Sequence, residues 1–295
     1  AWPGGLLRIR IMTTPNSHVS RRTVFRTVAG TALAGLAGCL GDSDSGTPDN
    51  GTDPLAGQDQ IKRVAVEGTT LVVELSESAE VDQINLIEPN GEFFGRREIA
   101  TGAKQVSFDL KTSYAPGEYR IVSLNGGETE AEVSYPIQPD LRIVEMGIGR
   151  NQPEQMWDGS GRAIAKEAFV SVENRGSGPD AITKLLFTGD VPYPSDEEGT
   201  NYADHAGVSG IYDPKTDVET EEVIIGPKEQ LTLYSYRSPF TFIRGEGTSC
   251  TAEEQTGEFD LSLETRVGSD ISSTYSIDYS GSDEYDNCKI TISEA

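Results

Sequence analysis

The chain has 295 residues, with 48 acidic against 24 basic side chains and a net charge of −24. Nothing in that balance forms a basic patch to neutralise phosphates, which excludes a nucleic-acid-binding role. So strong a charge opposes compaction by self-repulsion. It is relieved where salt screens it, since the Debye length falls to about 3 Å at 1 M.

The first informative stretch is Ser20 to Cys39, SRRTVFRTVAGTALAGLAGC. Arg21, Arg22 and Arg26 precede an apolar run from Val28 to Ala37, and small residues lead to Cys39. A basic start, an apolar middle and a small-residue end make an export leader. The run is shorter than the roughly 20 residues of a membrane span. The stretch resembles a twin-arginine signal ending in a lipobox. The resemblance implies export of the folded chain, cleavage before Cys39 and lipid attachment to its sulfur. Residues 1–11 precede Met12 and resemble no part of a signal, so the expected start is Met12 and 1–38 is set aside as leader. The leader holds five arginines and no acid. Taken from 24 basic residues they leave 19 against 48 acids, a net −29 after cleavage. Eight lysines against sixteen arginines, with so many acids, resemble the composition of halophilic archaeal proteins. The leader fits exported lipoproteins of such cells.

Residues 39–60 are rich in Gly, Asp, Ser, Thr, Pro and Asn and predict a flexible stalk behind the lipid. Asn50, in Asn50-Gly51-Thr52, is the candidate glycosylation site. The Asp42, Asp44, Asp49 spacing lacks the glycine and closing glutamate of a calcium loop.

From Ile61 the pattern becomes period two. KRVAVEG, TLVVELS, VDQINLIEP, KQVSFDL, GEYRIVSL and ETEAEVSYPI alternate apolar and polar residues, as half-buried strands do. Turn clusters at Pro89-Asn90-Gly91, Ala115-Pro116-Gly117 and Asn125-Gly126-Gly127 separate them. The spacing predicts an antiparallel β-sandwich over 61–137. SYAPGEYRIVSL resembles a late strand of immunoglobulin-like or fibronectin-like domains, which implies a core or corner role for Tyr119. Pro136 and Pro139 bracket an expected hinge.

A second sandwich is expected over 138–295. Phe169, Val170 and Val172 build a strand, Asn174-Arg175-Gly176 ends it, and Ile182 to Phe187 build the next. VIIGPKEQLTLYSYRSPF reads as strand, Gly-Pro turn, strand. This pattern resembles CARDB-type sandwiches of prokaryotic surface proteins. GEFDLSLETRV, STYSIDYS and CKITISE complete the sheet. No ten-residue segment after residue 60 carries a helical stripe, so the expected fold class is all-β, with two antiparallel immunoglobulin-like sandwiches.

Three cysteines are present. With Cys39 assigned to lipid, Cys250 and Cys288 are expected to form a disulfide, as in other exported domains. It would close a loop of about 39 residues, worth about 4 kcal/mol by the chain-entropy argument. A redox or metal pair is the alternative, but there is no CxxC and no histidine nearby.

His205 is the one histidine outside the leader. A catalytic triad through His205 lacks a serine elbow. A zinc site lacks ligands, and a blue-copper centre needs two histidines. Abundant acids make any glycosidase-type pair uninformative. The segment Val191–Val223 is too long for a hairpin turn, and long loops in compact domains tend to be functional. Its candidate ligand residues are Tyr193, Tyr202, Tyr212, Asp204 and His205, with Asp196, Glu197, Glu198 and Asp213 nearby. Aromatics beside carboxylates suit sugar stacking or calcium; tyrosines packed on the sheet under a solvated loop are the alternative. Asp278, Asp283, Glu284 and Asp286 form a second acidic cluster. No cofactor is implied, and no metal site is assigned.

The expectation is a non-enzymatic, lipid-anchored protein on the outer face of the cytoplasmic membrane, with a binding, adhesion or envelope-structural role. Its partners would be the membrane, through the lipid, and a surface glycan or envelope protein. An accessory or substrate-binding lipoprotein of a transport complex is the alternative, and a cell-surface hydrolase a third. Substrate-binding lipoproteins alternate strands with helices, and this chain runs strand after strand.

Overall fold

The computed structural model describes residues 59–158, 164–196, 201–242, 250–281 and 288–295. Cys39, Arg21, Arg22 and Asn50 therefore lie outside the described residues, as do Glu197, Glu198, Asp283, Glu284 and Asp286. The described part is all-β and antiparallel, with two short 3₁₀ turns at Pro153–Gln155 and Ile164–Lys166.

The first sandwich packs three strands on four. One sheet orders β1 (Ile61–Glu67), β2 (Thr70–Leu75) and β5 (Gln105–Asp109). The other orders β4 (Phe93–Glu98), β3 (Gln83–Ile87), β6 (Gly117–Asn125) and β7 (Glu128–Ile137). The period-two residues face inward: Leu71, Val73, Ile84, Leu86, Phe108, Tyr119, Ile121 and Ile137 are buried in one core. β6 and β7 meet through Gly126 and Gly127 at φ +59° and +89°. Two positive-φ residues in a tight hairpin match the twist of the strands it joins. β4 escaped the alternation reading because its side chains, among them three charged ones, are exposed or half-buried. It is an edge strand.

The second sandwich repeats this order. β8 (Leu141–Ile148), β9 (Ala168–Asn174) and β14 (Gln230–Ser235) lie as β1, β2 and β5 do. β13 (Val223–Ile225), β10 (Asp180–Gly189), β15 (Gln255–Thr265) and β16 (Ile271–Ser280) lie as β4, β3, β6 and β7 do. Two additions distinguish it. β17 (Lys289–Glu294) extends one sheet beyond β16. A hairpin of β11 (Ile211–Asp213) and β12 (Val218–Glu219), inserted after β10, adds to the other sheet beside β14. Its core holds Val170, Val172, Ile182, Leu185, Phe187, Leu233, Phe240 and Phe259. Cys250 and Cys288 are bridged, with Cα atoms 6.0 Å apart, which ties the start of β17 to the chain ahead of β15.

The β9–β10 turn is built from buried polar groups. Asn174 Nδ2 donates to the carbonyls of Gly178 (2.8 Å) and Gly226 (3.1 Å). Its Oδ1 accepts from the backbone N–H of Gly176 (2.9 Å) and Asp140 (3.1 Å). Asp180, fully buried, accepts from the N–H groups of Ala181, Arg266, Val267 and Gly268 at 2.7–3.2 Å. It thereby pins the β15–β16 turn. The loop between them docks on the connection from the first sandwich. Ser177 and Gly178 donate N–H to the Gln138 carbonyl, Arg175 donates to that of Asp140, and Tyr114 Oη donates to Pro179 O at 2.9 Å. The segment expected to hinge is thus bonded in place, and Pro136 sits inside β7 rather than at a joint.

Two outcomes follow. Asn174→Ala strands four backbone groups, three of them in buried hydrogen bonds, and should lower unfolding free energy by about 3 kcal/mol. At Gly178 an added Cβ would collide with Tyr114 Oη, so Gly178→Ala should speed proteolysis within 138–141. Unchanged denaturation midpoints in molar salt and unchanged cleavage would refute this account of the junction. Separately, reduction of Cys250–Cys288 should cost up to about 4 kcal/mol, read as a lower unfolding midpoint with thiol reductant present.

Candidate functional site

The outer face of the β8–β9–β14–β11–β12 sheet carries an aromatic ledge. Phe169 on β9, Tyr234 and Tyr236 at the end of β14, and Tyr212 on β11 share that face, opposite the core-facing Val170, Leu233 and Ile211. The connection between β8 and β9 brings Met156 and Trp157 down onto them. Trp157 lies 4.4 Å from the Tyr212 ring and 5.2 Å, edge-on, from Tyr234. Tyr212 stacks on Tyr236 at 6.3 Å. Arg237 lies over the rings of Tyr236 (5.3 Å) and Tyr202 (5.7 Å) and pairs with Glu219 at 2.6 Å. Such stacking adds about 0.5–1.5 kcal/mol per aromatic pair beyond area burial.

This arrangement splits the loop residues marked by the sequence. Tyr202 is a staple: its Oη donates to Leu185 O at 2.9 Å and accepts from Ser195 Oγ at 2.8 Å. Ser195 in turn holds Phe187 through both its backbone and its hydroxyl. The phenol is therefore buried against β10 rather than presented to a ligand, and burial pushes its pKa up to about 12. Tyr212 is also buried, and its Oη donates to Asp217 Oδ1 at 2.7 Å. Tyr193 is half-buried and bonded through its N–H to Pro239 O. Asp204 and His205 are exposed, with Asn201 Nδ2 3.5 Å from Asp204. Tyr202 and Tyr212 are thus linked through Arg237 and Tyr236. Among the described residues, no group of three or more His, Cys, Asp or Glu side chains is placed to hold a metal ion.

Sequence reasoning missed Trp157, Tyr234, Tyr236 and Arg237. The two tyrosines were findable, because residues two apart on a strand share a face. Trp157 lies in an irregular connection with no periodicity to read.

Below the ledge the sandwich opens. A notch of about 450 Å³ lies between β13 of one sheet and β14 of the other, within the common size range of ligand pockets. Its floor includes Ile211, Leu233 and Val223, and its rim Tyr234, Lys215 and Ile224. Ile224 is 48% exposed. Glu222 at the rim pairs with Arg266, and hydrogen bonds from the Lys215 N–H and the Thr216 hydroxyl hold the Asp213 carboxyl below its usual range.

No family model and no curated protein matches the chain. Among solved structures, a two-domain fibronectin type III segment of chicken tenascin aligns at 12% identity. The alignment covers 80% of this chain and 100% of that one, with a TM-score of 0.25. The ligand-binding domain of human OSCAR aligns at 9% identity over 78% and 92%, with a TM-score of 0.20. A beta-glucuronidase of glycoside hydrolase family 2 aligns at 11% identity and a TM-score of 0.22, over 74% of this chain and 20% of that chain. The chain spans about a fifth of that enzyme's length. The antiparallel sheets themselves define an all-β protein of two β-sandwiches.

Buried tyrosines in both sandwiches give the fold a pH signature. Tyr202 and Tyr119 have phenols raised by burial to about 12, above the unfolded value of about 10. A raised folded pKa favours the neutral phenol, so their contribution is whole below pH 10 and is lost as pH climbs towards 12. Stability should fall over that interval. Tyr202→Phe should cost about 1 kcal/mol at neutral pH and shallow the alkaline limb. An alkaline limb identical to the parent's would remove Tyr202 from this role.

Proposed function

We propose that the chain is a lipid-anchored, non-enzymatic binding protein held outside the cytoplasmic membrane. The observation that carries this reading is the Ser20–Cys39 sequence, with Arg21-Arg22 set before an apolar run and a small-residue approach to Cys39. The structure supports it in two ways. The junction is locked by Asn174, Asp180 and Tyr114, which suits a rigid head carried on a tether. The Cys250–Cys288 bridge suits an oxidising compartment. Function then resides in strand edges and the loops around them, which present groups without reacting.

Cys39→Ser should move the protein from the membrane pellet to the soluble fraction when expressed in a host able to lipidate it. Retention in the pellet at full level would overturn the anchor. The same variant should keep its fold, read by an unchanged unfolding midpoint.

A further inference from the structure

The notch beside β14 exposes backbone, and its hydrogen-bond geometry says what fits there. In an antiparallel ladder alternate residues point their N–H and C=O to opposite neighbours. Asn174 N–H donates to Glu229 O on the β9 side (2.9 Å), and Tyr236 N–H donates to Gly210 O on the β11 side (2.8 Å). Odd residues of β14 therefore bond to β9, and even residues face the other way. Tyr234 meets Tyr212 on β11. The next even residue is Thr232, and the register places Pro214 opposite it. Proline has no N–H to give, and the chain leaves the sheet there, turning back where Asp217 N–H bonds Asp213 O. Strand pairing between β11 and β14 stops at Tyr212 and Tyr234. Thr232 lines the notch, and by this alternation its backbone N–H and C=O are directed into it, with no strand paired there among the described residues.

The first sandwich shows the same place closed. There Arg97 on β4 reaches across to β5, donates from Nε to the Ser107 carbonyl at 2.9 Å and covers the Phe108 ring at 5.0 Å. β13, the counterpart of β4, is three residues long and ends in Ile224 and Ile225, with no arginine to make that reach.

The β14 edge is also rigid. Glu167, almost wholly buried, accepts from Ser235 Oγ (2.6 Å), Ser238 N–H (3.0 Å) and Ser238 Oγ (2.6 Å) at one end. Glu229 N–H bonds Gly226 O at the other. A fixed edge loses little entropy on pairing.

We propose that this notch binds an extended peptide by strand addition to β14, pairing with the backbone of Thr232 and seating one branched apolar side chain on Ile211, Leu233 and Val223. Main-chain bonds would supply affinity and the floor specificity. Asp213 and Glu222 line the notch against one cation, Lys215, which at contact range favours neutral or basic peptides over acidic ones. This deepens the binding role proposed above by naming its partner class, and it stands or falls independently of the lipid anchor.

The test uses the full chain in molar salt and a bead library of acetylated, amidated heptapeptides. The tightest binder is then titrated calorimetrically. N-methylation of that peptide should weaken binding about tenfold, or ~1.4 kcal/mol, at positions facing β14, and leave alternate positions unchanged. Thr232→Pro deletes only the outward N–H, a change edge strands tolerate, and should cause a similar loss with the unfolding midpoint retained. Thr232→Ala should bind as the parent. No selected peptide, a flat N-methyl scan, or parental binding by a folded Thr232→Pro would overturn the proposal. Binding of neutral oligosaccharides from an array in place of peptides, abolished by Tyr234→Ala, would overturn it too. If Thr232→Pro fails to fold, the N-methyl scan decides alone. Membrane release by Cys39→Ser is scored separately, so failure of one reading leaves the other intact.

Discussion

The turn from Asn174 to Asp180 is the constraint on which the rest of the described structure depends. One buried amide and one buried carboxylate bind eight backbone groups between them, drawn from the β9–β10 turn, the Gly226 turn, the inter-sandwich connection and the β15–β16 turn. Left unpaired, each such group would cost about 1–3 kcal/mol. Satisfied together they fix several loops at once. A carboxylate among four amides resembles an anion in a backbone nest, with the anion supplied by the chain itself. This is why Asp180 is structural although its surroundings would suit a ligand.

The same topology is used twice with opposite outcomes at one edge. In the first sandwich the gap between its fourth and fifth strands is sealed by Arg97 over Phe108. In the second, the β11–β12 insertion covers part of the corresponding edge and stops at Pro214. The aromatic ledge then does two jobs. It holds the inserted hairpin through Trp157 and Tyr212, and it leaves Tyr234 on the rim of the notch. A short insertion has converted a plain edge strand, ordinarily a liability for aggregation, into a bounded groove.

Much of the architecture was legible along the chain. Alternation marked the strands of both sandwiches because a half-buried strand must place apolar residues at every second position. The Asn125-Gly126-Gly127 turn was visible because two consecutive positive φ angles demand such residues. β4 was not visible, since an edge strand with exposed side chains needs no alternation. Nor was the division of labour among the tyrosines. Tyr202, Tyr212 and Tyr193 sit in one segment, yet one staples β10, one supports Trp157 and one lies half-buried near Pro239. Asp204 and His205 follow Tyr202 by two and three residues and are exposed. Sequence proximity carries no information about which side of a folded loop a residue takes.

The sequence by itself determined the β class and the pairing of Cys250 with Cys288. Each follows from local periodicity, composition or counting, which need no knowledge of distant neighbours. Only the tertiary structure decided that the expected hinge is bonded shut, that Trp157 caps a face, and that Thr232 directs its backbone into an open notch. Those outcomes depend on register between strands far apart in the chain. Register is fixed by how all the strands pack at once, and no single stretch of residues contains it.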